Sequence, residues 1–166
     1  EKNLNIPLKG KHILLIGAGG AAAGVLHPIL EASQSPLVIY NRTLEKAESL
    51  IKTTTQHERF RHFSIKAVEF VGLENEQFDV AINATSSGLS DEMPPLPPGI
   101  FAPGALAYDM MYGRETPFMR FARAHGAAVV SDGLGMLVEQ AAESFRIWRG
   151  VLPKTAPVIA ALREQQ

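Results

Sequence analysis

Short apolar runs alternate with longer amphipathic segments along this chain. Runs near 12–16, 37–40, 62–66, 78–83, 105–109 and 127–131 predict strands. Apolar residues spaced three and four apart predict helices near 20–32, 44–54, 117–125, 134–149 and 155–164. No internal repeat interrupts the alternation. It predicts an α/β fold: a doubly wound, mostly parallel sheet of about six strands with helices on both faces and right-handed crossovers. Thr116 before Pro117 reads as a cap followed by a proline at the first helical position. Gly126 reads as the stop of that helix. Pro28 is discordant, because it removes a hydrogen bond to the Gly24 carbonyl and is expected to kink or shorten the first helix. Five prolines in the segment from Met93 through Pro103 predict an extended surface loop. Leu134, Leu137, Val138, Ala141, Phe145 and Trp148 fall on one stripe of the long fourth helix, which reads as facing the core.

The bulk numbers narrow the class without naming a function. A length of 166 residues predicts one domain, and 46% hydrophobic with 20% charged residues is ordinary for a globular chain. Net charge is −1 with no block of like charges, so nothing points to nucleic acid or an anionic membrane. No apolar run approaches the length of a membrane span. With no cysteine, disulfides, thiolate metal sites and cysteine nucleophiles are excluded from these residues. The five histidines show no metal-ligand spacing, so no metal is expected. The cytoplasm is the default location.

The first strand ends in Gly17-Ala18-Gly19-Gly20-Ala21-Ala22, directly before the first helix. Gly17, Gly19 and Ala22 occupy the three positions of a dinucleotide-binding turn. The first allows the tight bend, the second lets backbone approach a pyrophosphate, and the small third lets helix and strand pack closely. The helix N-terminus would then aim unpaired N–H groups and a positive dipole end at the phosphates. This makes the fold Rossmann-type, with the strand order 3-2-1-4-5-6 expected. The second strand ends not in the carboxylate that would accept from a ribose 2′-hydroxyl but in Asn41-Arg42-Thr43, with Lys46 beyond. A guanidinium pairs with a 2′-phosphate, which a carboxylate would repel. NADP is therefore expected over NAD. The Thr43 hydroxyl is placed either to cap the second helix or to bond the phosphate.

Three further segments fall at carboxyl ends of strands, where ligands lie in such sheets. Asn83 to Gly88, with Thr85 and Ser86, would flank the cofactor, or else satisfy its own backbone. Tyr108 to Gly113 brings Met110 and Tyr112 to the rim; a methionine can pack against a flat ring and a phenol can reach a polar substrate. Gly133 and Gln140 share one face of the fourth helix, the first permitting close approach and the second carrying a donor and an acceptor.

Gly17 to Ala21, Asn41-Arg42-Thr43, Asn83 to Gly88, Tyr108 to Tyr112, Thr116-Pro117-Phe118 and Asp132 to Leu137 together resemble the shikimate dehydrogenase family in order and spacing. The resemblance covers nearly the whole chain and implies a domain that binds NADP(H) for reduction of 3-dehydroshikimate to shikimate, in the route to aromatic amino acids. It implies that Gly17, Ala18, Gly19, Gly20 and Ala21 hold the pyrophosphate. Asn41, Arg42, Thr43 and Lys46 would hold the 2′-phosphate end, although the family often has arginine where Lys46 stands. Thr85, Ser86, Met110 and Gly133 would lie along the rest of the cofactor, and Tyr112 and Gln140 would reach toward shikimate. In this family a substrate domain precedes the nucleotide domain and supplies a Lys–Asp pair. No lysine here lies in a matching motif, so no catalytic residue is expected among these 166. Residues 1–166 are read as the NADP-binding domain, with 1–11 as residual interdomain linker. This chain alone is expected to bind cofactor without turnover, and shikimate only together with the missing domain. The alternatives are a non-catalytic nucleotide-binding module, the nucleotide domain of a glutamyl-tRNA reductase-like enzyme, or a quinate/shikimate dehydrogenase.

Overall fold

The strands are β1 (Ile13–Ile16), β2 (Leu37–Tyr40), β3 (Ile65–Val68), β4 (Phe78–Asn83), β5 (Phe101–Asp109) and β6 (Val129–Ser131). The helices are α1 (Gly20–Ser33), α2 (Leu44–Gln56), α3 (Pro117–Ala124), α4 (Leu134–Arg149) and α5 (Ala156–Arg163). In the computed structural model, which describes residues 1–85 and 92–165, the strands form one sheet in the order β3-β2-β1-β4-β5-β6. Every pairing is parallel. This is the doubly wound order expected from the alternation of elements.

Alternate residues of each strand feed two cores. Leu14, Ile16, Val38 and Tyr40 join Phe118 and Ala122 of α3 and Leu73 of a short 3₁₀ turn on one face. Ile13, Leu15, Leu37 and Ile39 join Ala22, Leu26, Ile29 and Leu30 of α1 and Ala47 of α2 on the other. All four residues of β1 and of β2 are buried, as central strands of a parallel sheet covered on both faces require. Register sets the carboxyl ends level. Ile16 pairs with Tyr40 and with Asn83, and Asn83 pairs with Asp109. One rim thus carries the residues that follow β1, β2, β4 and β5.

Several expectations need correction. Helix α1 runs through Pro28 without shortening. Both Pro28 and Gly24 are exposed, so water can take the carbonyl that the missing N–H leaves. The third strand lies at 65–68 rather than 62–66, because Phe63 is drawn into a turn on Phe60 and Ser64 accepts from the Leu37 N–H. The sixth starts at Val129 because the Ala127 N–H closes the end of α3 on Ala122. The proline-rich stretch is not all surface loop. Leu96 and Ile100 are buried, and β5 already begins at Phe101. Its pairing jumps from Phe78↔Phe101 to Val80↔Leu106, so exposed Pro103 and Gly104 sit in a bulge, where a strand tolerates them. Of the stripe on α4 only Leu134 and Val138 are buried; Leu137, Ala141, Phe145 and Trp148 are exposed, while Ala142, beside the stripe, is buried.

Candidate functional site

The bend after β1 depends on a residue without a side chain. Gly17 has φ +107°, and a Cβ there would lie 3.1 Å from Thr85 Cγ2 and 3.2 Å from the Ala84 carbonyl. Its N–H donates to the Tyr40 carbonyl at 2.8 Å, which ties the bend to the end of β2. Above Gly19 and Gly20 there is open space, since a Cβ at either would meet nothing within 4 Å. Gly19 is the N-cap of α1, with no side-chain cap and no acidic residue in the first turn. Among the described residues no side chain caps the leading N–H groups of α1, which stand at the positive end of a 14-residue helix. This suits a phosphate group.

At the end of β2, Asn41 Nδ2 donates to the Thr43 carbonyl at 2.8 Å and shapes the turn into α2. Thr43 is the N-cap of α2, but its side chain makes no cap hydrogen bond. Arg42 and Lys46 are exposed. Burial pushes the Tyr40 phenol above its ordinary value, and the nearby Arg42 charge pulls it back. The guanidinium thus belongs to the same end of the sheet as the glycine bend.

One cleft of about 1030 Å³ runs across these elements. Gly17, Ala18, Gly19, Gly20 and Ala21 line it, with Asn41, Arg42, Thr43, Lys46, Thr85 and Met110. It offers uncapped backbone donors in the middle, two cations at one end and methionine at the other. That arrangement accepts a long anionic ligand with a flat apolar group. Glu92, Met93, Pro94, Pro95, Met111 and Met136 also line it, with no role assigned to them from sequence. A position following β4 was the signal for the first four, since loops at carboxyl ends of strands border ligands. Met136 lay within the segment opening α4.

The remaining expected site residues stand elsewhere. Gly133 is buried behind the wall of the cleft. Its N–H donates to the Met111 carbonyl at 2.8 Å, and a Cβ there would lie 2.3 Å from the Met110 carbonyl oxygen. The backbone of Met110 therefore occupies the space where a side chain would go. Tyr112 is half exposed and Gln140 is exposed on α4, and neither lines the cleft. Ser86 lies outside the described residues. Asp132, buried just before Gly133, accepts from Arg163 Nη2 of α5 at 3.0 Å. Among the described residues no helix is long and apolar enough to cross a membrane. Among them too, no cluster of three or more His, Cys, Asp or Glu could hold a metal ion.

A family model described as Shikimate / quinate 5-dehydrogenase matches residues 1–90. Another, described as Shikimate 5'-dehydrogenase C-terminal domain, matches residues 133–163. The chain is 60% identical over 162 residues to the shikimate dehydrogenase (NADP(+)) of Methylobacillus flagellatus, covering 98% of this chain and 58% of that protein. An Ael1 enzyme from Pseudomonas putida superposes with a TM-score of 0.85 at 46% identity, over 98% of this chain and 58% of that one. Shikimate 5-dehydrogenase from Thermus thermophilus, solved in complex with NADP(H) and shikimate, superposes with a TM-score of 0.78 at 34% identity, over 99% of this chain and 59% of that one. The chain spans about 58% of the length of the curated relatives it matches.

Proposed function

The chain belongs to the shikimate/quinate 5-dehydrogenase family, and on that premise we propose that it binds NADP(H) and forms the cofactor side of a shikimate dehydrogenase. One observation carries this reading: the glycine bend and Arg42 line a single cleft, joined through the 2.8 Å hydrogen bond from Gly17 N–H to the Tyr40 carbonyl. The name of the Methylobacillus flagellatus relative and the NADP(H) complex of the Thermus thermophilus enzyme support the same cofactor.

The residues present fit that group. Gly17, Ala18, Gly19, Gly20 and Ala21 would hold the pyrophosphate with backbone N–H groups, which open space over Gly19 and Gly20 leaves approachable. Arg42 would pair with the 2′-phosphate, with Asn41 shaping the turn and Thr43 and Lys46 adding a hydroxyl and a second charge. Thr85 would bond a ribose or the nicotinamide, the role that the family resemblance also gives Ser86. Met110 would pack against the ring and Gly133 would back it. Tyr112 and Gln140 would reach toward the substrate. When bound, the nicotinamide supplies the hydride that reduces 3-dehydroshikimate to shikimate. No residue of this chain is assigned a proton-transfer role, so the chain by itself binds cofactor without oxidising shikimate. The cytoplasm, the default for a chain handling a soluble nucleotide and a small organic acid, is included in the proposal.

Calorimetric titration tests the cofactor assignment. Arg42→Ala is expected to cost about 1.5–3 kcal/mol of NADP+ affinity and little of NAD+ affinity, because the lost hydrogen bonds go to a charged group that NAD+ lacks. Equal affinity of the unaltered chain for both nucleotides would overturn the reading. Steady shikimate oxidation by the chain alone would overturn the division of labour.

A further inference from the structure

Asp109 lies outside the set of cofactor-binding residues, yet its carboxylate is fully buried at the end of β5. Its Oδ2 accepts from Asn83 Nδ2 at 3.0 Å and from Thr116 Oγ1 at 2.6 Å. Its Oδ1 accepts from the Met111 N–H at 2.9 Å. Asn83 relays the connection: its Oδ1 accepts from the Thr85 N–H at 3.2 Å and from Thr85 Oγ1 at 2.8 Å. The Thr85 methyl in turn lies where it would crowd any Cβ at Gly17. Asn83 and Thr116 are also buried.

A buried carboxylate is costly to desolvate, and apolar residues of similar volume often stabilise a core as well or better. Among the described residues, each hydrogen bond of the group leads to the cleft or its support. Through Met111 it fixes the segment that carries Met110. Through Asn83 and Thr85 it fixes the floor beside the glycine bend. Through Thr116, whose Oγ1 accepts from the Met119 N–H at 3.2 Å, it anchors the start of α3. We propose that Asp109 is a positioning residue for the nicotinamide half of the cofactor, holding the methionine wall and the Thr85 floor in one fixed relation. This placement rests on the NADP(H) reading. The groups assigned to the 2′-phosphate stand on other segments, the turn after β2 and the first turn of α2.

The geometry makes Asp109→Asn a sharp probe. An amide in place of the carboxylate brings one NH₂ group into a ring of donors. Facing Met111 it opposes an N–H. Facing the other way it opposes Asn83 Nδ2, and flipping Asn83 to escape turns that NH₂ on the Thr85 N–H. Either way a donor loses its acceptor and the wall moves relative to the floor.

The test is titration of the chain with NADP+ and, separately, with adenosine 2′,5′-bisphosphate, which carries the 2′-phosphate but no nicotinamide. Asp109→Asn is expected to weaken NADP+ about tenfold, the effect of one unsatisfied buried donor, and to leave the bisphosphate unchanged. A merely structural role would move both ligands together, and such a parallel loss overturns the proposal, as does unchanged NADP+ affinity. Should Asp109→Asn fail to fold, Asn83→Ala carries the same test, because it releases Thr85 from the carboxylate and keeps the bonds from Met111 and Thr116. If the unaltered chain binds neither ligand, the cofactor reading itself falls and takes this placement with it. If it binds both and the variants show no selective loss, the positioning role alone falls.

Discussion

Helices α1 and α4 both carry an apolar face, yet they meet different fates. Helix α1 lies against β1 and β2 and buries Ala22, Leu26, Ile29 and Leu30 along its length. Helix α4 buries Leu134, Val138 and Ala142, then leaves Phe145 45% and Trp148 79% exposed. Helix α5 buries no residue at all. Two polar tethers hold it: Thr155 Oγ1 donates to Glu139 Oε1 at 2.8 Å, and Arg163 pairs with buried Asp132 at 3.0 Å. An apolar stripe states what a helix can bury, and only the surface behind it decides what it does bury. A helix of 16 residues is about 24 Å long, whereas β6 beside its start has three residues.

The largest expected effect tests the covered side. Leu26 is fully buried in the core under α1. Leu26→Ala is expected to cost about 2–5 kcal/mol, the lost transfer energy plus that of the cavity left behind. Denaturant unfolding measures it as a lower midpoint at unchanged slope. A loss below about 1 kcal/mol would mean that α1 is no better supported than α4, and the contrast between the two helices would fail.

What could be read from sequence divides along the same line. Elements were legible where signals were local. Thr116 does cap α3, accepting from the Met119 N–H at 3.2 Å. The pairing of the glycine bend with Arg42 was legible because the two follow adjacent strands whose ends are in register, Ile16 opposite Tyr40. What depended on distant partners was not legible. Asn83, Asp109 and Thr116 lie on separate segments and converge only because Asn83 and Asp109 pair across β4 and β5. The start of β5 was hidden by Pro103 and Gly104, which a bulge absorbs. The fate of the α4 stripe was hidden too, because helical period is blind to what packs against it. Gly133 was singled out for a different reason from the one the structure supplies. Close approach there is by the Met110 backbone.

Gly133 is where α4 joins the segment after β5, which makes it the second and smaller test. A methyl at this position would meet backbone atoms of Met110 at 2.3 and 2.8 Å, none of which can rotate away. Gly133→Ala is expected to cost about 1–3 kcal/mol, the range for overpacking a filled site, again read from denaturant unfolding. If α4 is as lightly held as its exposed half suggests, part of the strain goes into displacing the helix. Faster amide hydrogen exchange would then appear in α4 and α5 and not in α1. Acceleration spread equally over all three helices would show instead that α4 is integral to the sheet.

The smallest expected effect is the most telling about the exposed side. Trp148 is the largest side chain in the chain and, being 79% exposed, contributes little buried area. Surface truncations of this kind stay within about 0.5 kcal/mol, so Trp148→Ala is expected to leave the unfolding midpoint almost unchanged while Leu26→Ala lowers it strongly. Indole fluorescence gives an independent check. A solvated indole emits at long wavelength, and unfolding of the unaltered chain should then shift that emission only slightly. A cost above about 1 kcal/mol would place Trp148 against something in solution. A second copy of the chain is the occupant that unfolding experiments can recognise directly, because stability would then rise with protein concentration. Stability independent of concentration, with a near-neutral Trp148→Ala, leaves the contrast between α1 and α4 as the physics of a helix that extends past its support.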